Sequence, residues 1–156
     1  MRLILAALIV AVFSVAAKAC PEIRLSGQEL DYSASELYQP QSFKVVAGGQ
    51  ENLERCNIRS NNPPPSYASG YVAAAPDFEL YYRHERGYAL EFRVVSDCDS
   101  VLLINTGAAN WYFDDDDNGN LDAKIRLTAP SSGWYDIWIG TYDPSTCNAT
   151  LTLETF

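Results

Sequence analysis

The sequence has a single histidine, His84, and no Cys-x-x-Cys pair. These two shortages remove much of the usual enzyme chemistry. A zinc site built on histidine and paired cysteine lacks its ligands. A Ser-His-Asp or Cys-His arrangement would have to use His84. That residue sits in Tyr82-Arg83-His84-Glu85-Arg86-Gly87, which reads as the exposed tip of a hairpin. No Gly-x-Ser-x-Gly elbow and no His-Glu-x-x-His motif occurs. Carboxylate pairs for glycoside hydrolysis could come from Asp114–Asp117 with Asp136. Aspartates crowded onto one loop, however, match poorly two carboxyls that face each other across a substrate. No catalytic residue is assigned.

Basic residues are also scarce, 11 Lys and Arg against 20 Asp and Glu. The first 19 residues read as a signal peptide. Arg2 is the positive start, residues 3–15 are apolar, and Ala17-Lys18-Ala19 fits a small-x-small cleavage site. Cleavage after Ala19 would remove Arg2 and Lys18, leaving 9 basic residues against 20 acidic ones and moving the net charge from −9 to −11. Such a chain repels nucleic acid and anionic membranes. It suits cations, basic partners or neutral polysaccharides. Beyond the leader no apolar run is long enough to span a bilayer, so no membrane insertion is expected after cleavage. The product is expected in the periplasm or outside the cell.

The four cysteines are Cys20, Cys56, Cys98 and Cys147. An even count behind a signal peptide implies two disulfides, and four cysteines allow three pairings. The pairing expected here is Cys20–Cys56, which ties down the new N-terminus, with Cys98–Cys147, which ties one core strand to the last.

Helical stripes are absent from residues 20–156, and period-two alternation is frequent. Residues 29–32, 42–47, 53–58, 77–82, 89–95, 100–105, 123–127, 134–141 and 149–154 read as strands, bounded by Gly, Pro, Asn or Asp. The inward sets are Phe43 and Val45; Phe78, Leu80 and Tyr82; Leu90, Phe92 and Val94; Ile125 and Leu127; Leu151 and Leu153. Val101 and Leu103 share one face of their strand. Ser33 and Glu36 have capping-box spacing, so one helical turn is expected within residues 33–38. Pro63, Pro64 and Pro65 mark a surface loop. Seven to nine short strands at this spacing predict an antiparallel β-sandwich or jelly roll. The expected organisation is a leader (1–19) and one sandwich domain (20–156).

One stretch concentrates chemistry: Trp111-Tyr112-Phe113, then four consecutive aspartates, then Asn118-Gly119-Asn120-Leu121-Asp122. Asp114, Asp116, Asn118, Asn120 and Asp122 fall at positions one, three, five, seven and nine of an EF-hand-type calcium loop. Position twelve is Ile125 rather than Glu, and strands flank the loop, so this is at most half a calcium site. A carboxylate from elsewhere, Asp97, Asp99 or Asp143, would have to complete it. Aromatic residues are dense nearby. Trp111, Tyr112, Trp134 and Trp138 are candidates for a binding platform, because rings on an open sheet face stack on sugars or anchor proteins. Alternation in residues 134–141 puts Tyr135, Ile137 and Ile139 on one face and Trp134, Asp136 and Trp138 on the other. The tryptophan face is expected to be the outer one.

Several runs together resemble the bacterial pre-peptidase C-terminal (PPC-like) domain family. They are Tyr88-Ala89-Leu90-Glu91-Phe92-Arg93-Val94, Asp97-Cys98-Asp99 leading into Ser100–Asn105, Phe113-Asp114-Asp115-Asp116, Asp122–Leu127, and Ala129-Pro130-Ser131-Ser132-Gly133-Trp134-Tyr135. The likeness covers residues 78–156 and leaves 20–77 as an N-terminal extension. It implies a β-sandwich that serves as an accessory module of secreted proteases and other exoenzymes. No catalytic domain accompanies it here. The expected function is therefore a non-catalytic module that binds a protein or polysaccharide at the cell envelope and is braced by calcium. The alternatives are a secreted hydrolase or peptidase-associated protein, and a purely structural envelope protein.

Overall fold

The computed structural model describes residues 20–62 and 66–156. The expected leader and the loop prolines Pro63, Pro64 and Pro65 lie outside the described residues. Eleven strands are formed among the described residues: β1 (Gln28–Ser33), β2 (Gln41–Gly48), β3 (Glu51–Asn52), β4 (Tyr71–Val72), β5 (Phe78–Arg83), β6 (Leu90–Ser96), β7 (Ser100–Thr106), β8 (Trp111–Asp114), β9 (Lys124–Leu127), β10 (Gly133–Thr141) and β11 (Thr146–Thr155). They make two packed sheets. The first runs β1-β5-β10-β7-β8, with β4 and then β3 added at the Thr141 end of β10. The second runs β2-β11-β6-β9. The fold is the predicted β-sandwich. One pairing departs from the antiparallel rule, because β1 lies parallel to β5 with Leu30 opposite Leu80.

Period-two alternation puts the apolar sets between the sheets. From the first sheet come Leu30, Phe78, Leu80, Tyr82, Tyr135, Ile137, Ile139, Leu102 and Ile104. The second sheet answers with Leu90, Phe92, Val94, Ile125, Leu127, Leu151 and Leu153. Both expected disulfides form: Cys20–Cys56 at a sequence separation of 36, and Cys98–Cys147 at a separation of 49. Disulfides of this kind persist in oxidising compartments and point to an extracytoplasmic protein.

Three local expectations meet the structure differently. The capping box holds: Ser33 N donates to Glu36 Oε2 (2.7 Å), Glu36 N donates to Ser33 Oγ (3.3 Å), and a 3-10 turn covers Glu36–Tyr38. The strand expected over 53–58 is instead a 3-10 turn, Leu53–Arg55. Asn52 Oδ1 accepts from Glu54 N (2.9 Å) and starts that turn, which drives Leu53 into a buried cluster. The stretch around His84 is no hairpin tip. Its flanking strands β5 and β6 belong to different sheets, so it turns the corner between them.

A second, smaller core lies on the outer face of the first sheet. The described residues 53–62 and 66–72 lie across that face as a flap. Leu53, Ala68 and Val72 pack on Val101, Leu103, Phe113 and Trp138, with Ile58 and Trp111 at the margin. Val101 and Leu103 do share a face, as predicted, yet it faces this cluster. The flap also covers the edge of β8. Asn61 N donates to Trp111 O (2.7 Å), and Phe113 N donates to the buried hydroxyl of Ser60 (3.1 Å). Pairing an otherwise bare strand edge in this way removes a template for aggregation.

Candidate binding face

The tryptophan face of β10 is the outer one, but the flap divides it. Trp138 is fully buried. Its ring lies 5.6 Å from that of Trp111, which is half-buried and tilted by 33° against it. Tyr112 is also half-buried and points to the main core. The platform of Trp111, Tyr112, Trp134 and Trp138 is therefore not assembled. The flap supplies apolar side chains to Trp138 and Trp111, and burial wins over exposure there. Trp134 alone of the four stays open, 45% exposed.

Trp134 has a partner that the sequence reading did not name. Tyr81, 38% exposed, sits directly opposite on β5, with ring centroids 5.1 Å apart and planes 54° apart. Tyr81 points outward because Leu80 and Tyr82 on either side of it point in. The strand alternation held that signal, but the pairing of 81 with 134 needed the register. Beside this aromatic pair runs a row of carboxylates set by the same register: Glu29 on β1, Glu79 on β5 and Asp136 on β10. Asp31 faces Tyr81 in the neighbouring row. A shallow notch of about 340 Å³, lined by Glu29, Leu30, Asp31, Tyr81 and Trp134, lies over β1, β5 and β10.

The charges in the row are uneven. Asp31 and Glu36 both receive the Arg83 guanidinium. Glu79 accepts from Gly27 N (2.8 Å). Among the described residues no cation pairs with Glu29, Glu79 or Asp136. Partial burial, and then the Glu79 charge, push the Asp136 carboxyl up to about 6. Asp77, one strand end away, is also pushed up to about 6 by burial, although it accepts from Ile139 N (2.7 Å).

The acidic loop between β8 and β9 bridges the two sheets. Of the carboxylates expected from the EF-hand spacing, the fold aims Asp114 and Asp116 at one point, and Asp117 joins them. These three carboxylates each offer an oxygen within 4.8 Å of the others. Asn118 is turned away, because its Nδ2 donates to Val94 O (2.6 Å). Asp122 is buried and accepts from the hydroxyls of Ser96 (2.7 Å) and Ser100 (3.1 Å), which makes it a brace between β6 and β7. Asn120 and Leu121 take the left-handed conformation that turns the chain. Sheet geometry replaces loop spacing as the organiser, so the EF-hand positions do not carry over. Burial raises Asp114 against the hydrogen bonds it accepts from Lys124 N and Asp117 N. Burial raises Asp99 as well, helped by the charges of Asp143, Asp116 and Asp122. The Asp99 and Asp143 loops therefore stand within electrostatic reach of the acidic turn.

The imidazole of His84 has no partner for Nδ1 among the described residues. The nearby Ser132 hydroxyl accepts instead from the His84 backbone N (2.8 Å). Among the described residues no carboxylate is hydrogen-bonded to the imidazole Nδ1, as the orienting group of a triad would be.

No family model matches the sequence, and no curated protein matches it. Among solved structures the chain is similar to PliG of Aeromonas hydrophila, a periplasmic inhibitor of g-type lysozyme. Identity is 8%, the match covers 84% of this chain and 98% of that one, and the TM-score is 0.46. The overlay is loose, and the sandwich described above stands on its own strand pairings.

Proposed function

We propose that this protein is a non-catalytic binding protein of the cell envelope, periplasmic or secreted, that recognises a protein or polysaccharide. The observation that carries this reading is the open end of the first sheet's outer face. Two exposed aromatic rings are held there on rigid paired strands, next to the flap that closes the rest of the face. Exposed aromatics fixed on strands lose little conformational entropy on binding and supply large contact area. The likeness of residues 78–156 to the pre-peptidase C-terminal module belongs to the same reading, as an accessory fold with a binding role. The test is capture from envelope fractions and glycan arrays by the wild-type chain and by Trp134→Ala. Loss of capture on substitution supports the proposal, and equal capture by both overturns it.

Calcium is part of this proposal as a brace, held by Asp114, Asp116 and Asp117. Their convergence supports it, since a hard cation takes carboxylate oxygens at short range. Millimolar calcium should raise the melting temperature relative to chelator through binding linkage. Asp116→Asn should abolish the rise. No shift in the wild type removes calcium from the reading.

A further inference from the structure

We infer that the notch beside Tyr81 and Trp134 takes a cationic side chain, arginine or lysine, from a protein partner. This rests on the binding function proposed above and names the chemistry of its ligand.

Two independent features of the face agree. The first is charge. Glu29, Glu79 and Asp136 stand in one cross-strand row on three adjacent strands. Like charges directly opposite one another in a sheet are destabilising. A neutral surface would serve the fold better at these positions. Three arginines elsewhere pair with other acids, Arg24 with Glu22, Arg93 with Glu91 and Glu154, and Arg126 with Glu91. This row has none, although Arg83 serves Asp31 and Glu36 close by. A cation arriving from outside would remove the repulsion and gain charge-assisted hydrogen bonds at the same time.

The second feature is the rings. Tyr81 and Trp134 adjoin the carboxylate row, Glu79 being two residues from Tyr81 and Asp136 two from Trp134. Both rings are exposed and tilted toward each other. An aromatic face attracts a guanidinium or ammonium through its quadrupole, and a carboxylate at the rim completes the grip. A neutral sugar could stack on the same rings, but it would leave the carboxylate repulsion in place. The cation satisfies both features, and the net charge of −9 would steer a basic partner toward this protein at low salt.

The experiment uses the blocked peptide Gly-Arg-Gly-Arg-Gly as probe, its Glu counterpart as control, and a neutral chitooligosaccharide as competitor class. Binding is read by Trp fluorescence and calorimetry at 50 and 300 mM NaCl. The Arg peptide should bind, weaken several-fold at the higher salt, and lose at least tenfold affinity in both Trp134→Ala and the double variant Glu29→Gln/Glu79→Gln, which removes the unpaired carboxylate lining the notch and the one opposite it. The double variant should melt no lower than wild type, which shows that it is folded. Absence of Arg-peptide binding, equal affinity in the double variant, or preference for the sugar each overturns the inference. The two proposals fail separately. Envelope capture that needs Trp134 but not the carboxylates refutes the cation and leaves the binding function standing. Capture indifferent to Trp134 refutes both.

Discussion

Trp138→Ala tests whether the flap is a true second core. The side chain is fully buried among Leu53, Val72, Val101, Leu103 and Phe113. A tryptophan buries about 150–250 Å², worth about 4–6 kcal/mol at about 25 cal/mol per Å². The indole N–H has no acceptor among the described residues, and such a group costs about 1–3 kcal/mol. The net loss expected for alanine is about 1–5 kcal/mol, overlapping the usual span for large-to-small core changes. Trp138→Phe keeps most of the apolar contact and removes the orphan N–H, so its loss should stay below about 1.5 kcal/mol. Urea unfolding followed by far-UV circular dichroism measures both. Limited trypsin digestion adds a local readout, because Arg55 and Arg59 lie on the flap and should become cleavable in the alanine variant while the main sandwich resists. A loss under about 1 kcal/mol for alanine, or a phenylalanine variant as weak as alanine, would refute the packing argument.

Three further outcomes are expected. Burial raises the Asp77 carboxyl from its ordinary 3.8 to about 6, so the native state holds its proton longer than the unfolded chain does. That stabilisation is full below pH 4 and is lost as pH rises through 6, amounting to about 1–3 kcal/mol after solvent screening. Thermal melts from pH 4 to 7 should show it, and Asp77→Asn should flatten that part of the profile. Replacing Cys98 and Cys147 by alanine opens a link spanning 49 residues and should cost about 4 kcal/mol on loop entropy, read as a lower urea midpoint; an unchanged midpoint contradicts it. Gly140→Ala would drive a methyl into Tyr71 O and to within 2.7 Å of Val72 Cγ1. About 1–3 kcal/mol should be lost as β4 lifts off β10, and amide exchange at Tyr71 and Val72 should quicken.

How much of this was legible in the sequence depends on range. Leu90, Phe92 and Val94, or Leu151 and Leu153, announce their inward face because alternation is a local property. Both disulfides match the expected pairing, although four cysteines allow three pairings and the sequence does not decide among them. Trp138 was assigned to the right face and the wrong environment. What covers it comes from Leu53, Ala68 and Val72, and the strand expected over 53–58 says nothing of which face such residues lie down on. The acidic loop is legible in part for a related reason. Spacing alone suggested Asn118 and Asp122 as ligands, but Val94 O and the hydroxyls of Ser96 and Ser100, distant in sequence, claim those side chains first. Tyr81 was visible as an outward residue, yet its meeting with Trp134 depends on a strand register that only the assembled sheet sets.

The place of β11 governs the order in which the molecule can be made. It is the last strand of the chain and an inner strand of its sheet, flanked by β2, where Phe43 meets Leu151, and by β6, where Phe92 meets Leu153. Loop-closure entropy delays such distant pairings and slows folding. A chain emerging amino-end first therefore has β2 and β6 without their common neighbour until β11 docks between them. Until that step each of the two strands presents a bare edge, which is a template for pairing with another chain. Closing the second sheet is thus a single late event that joins three strands at once.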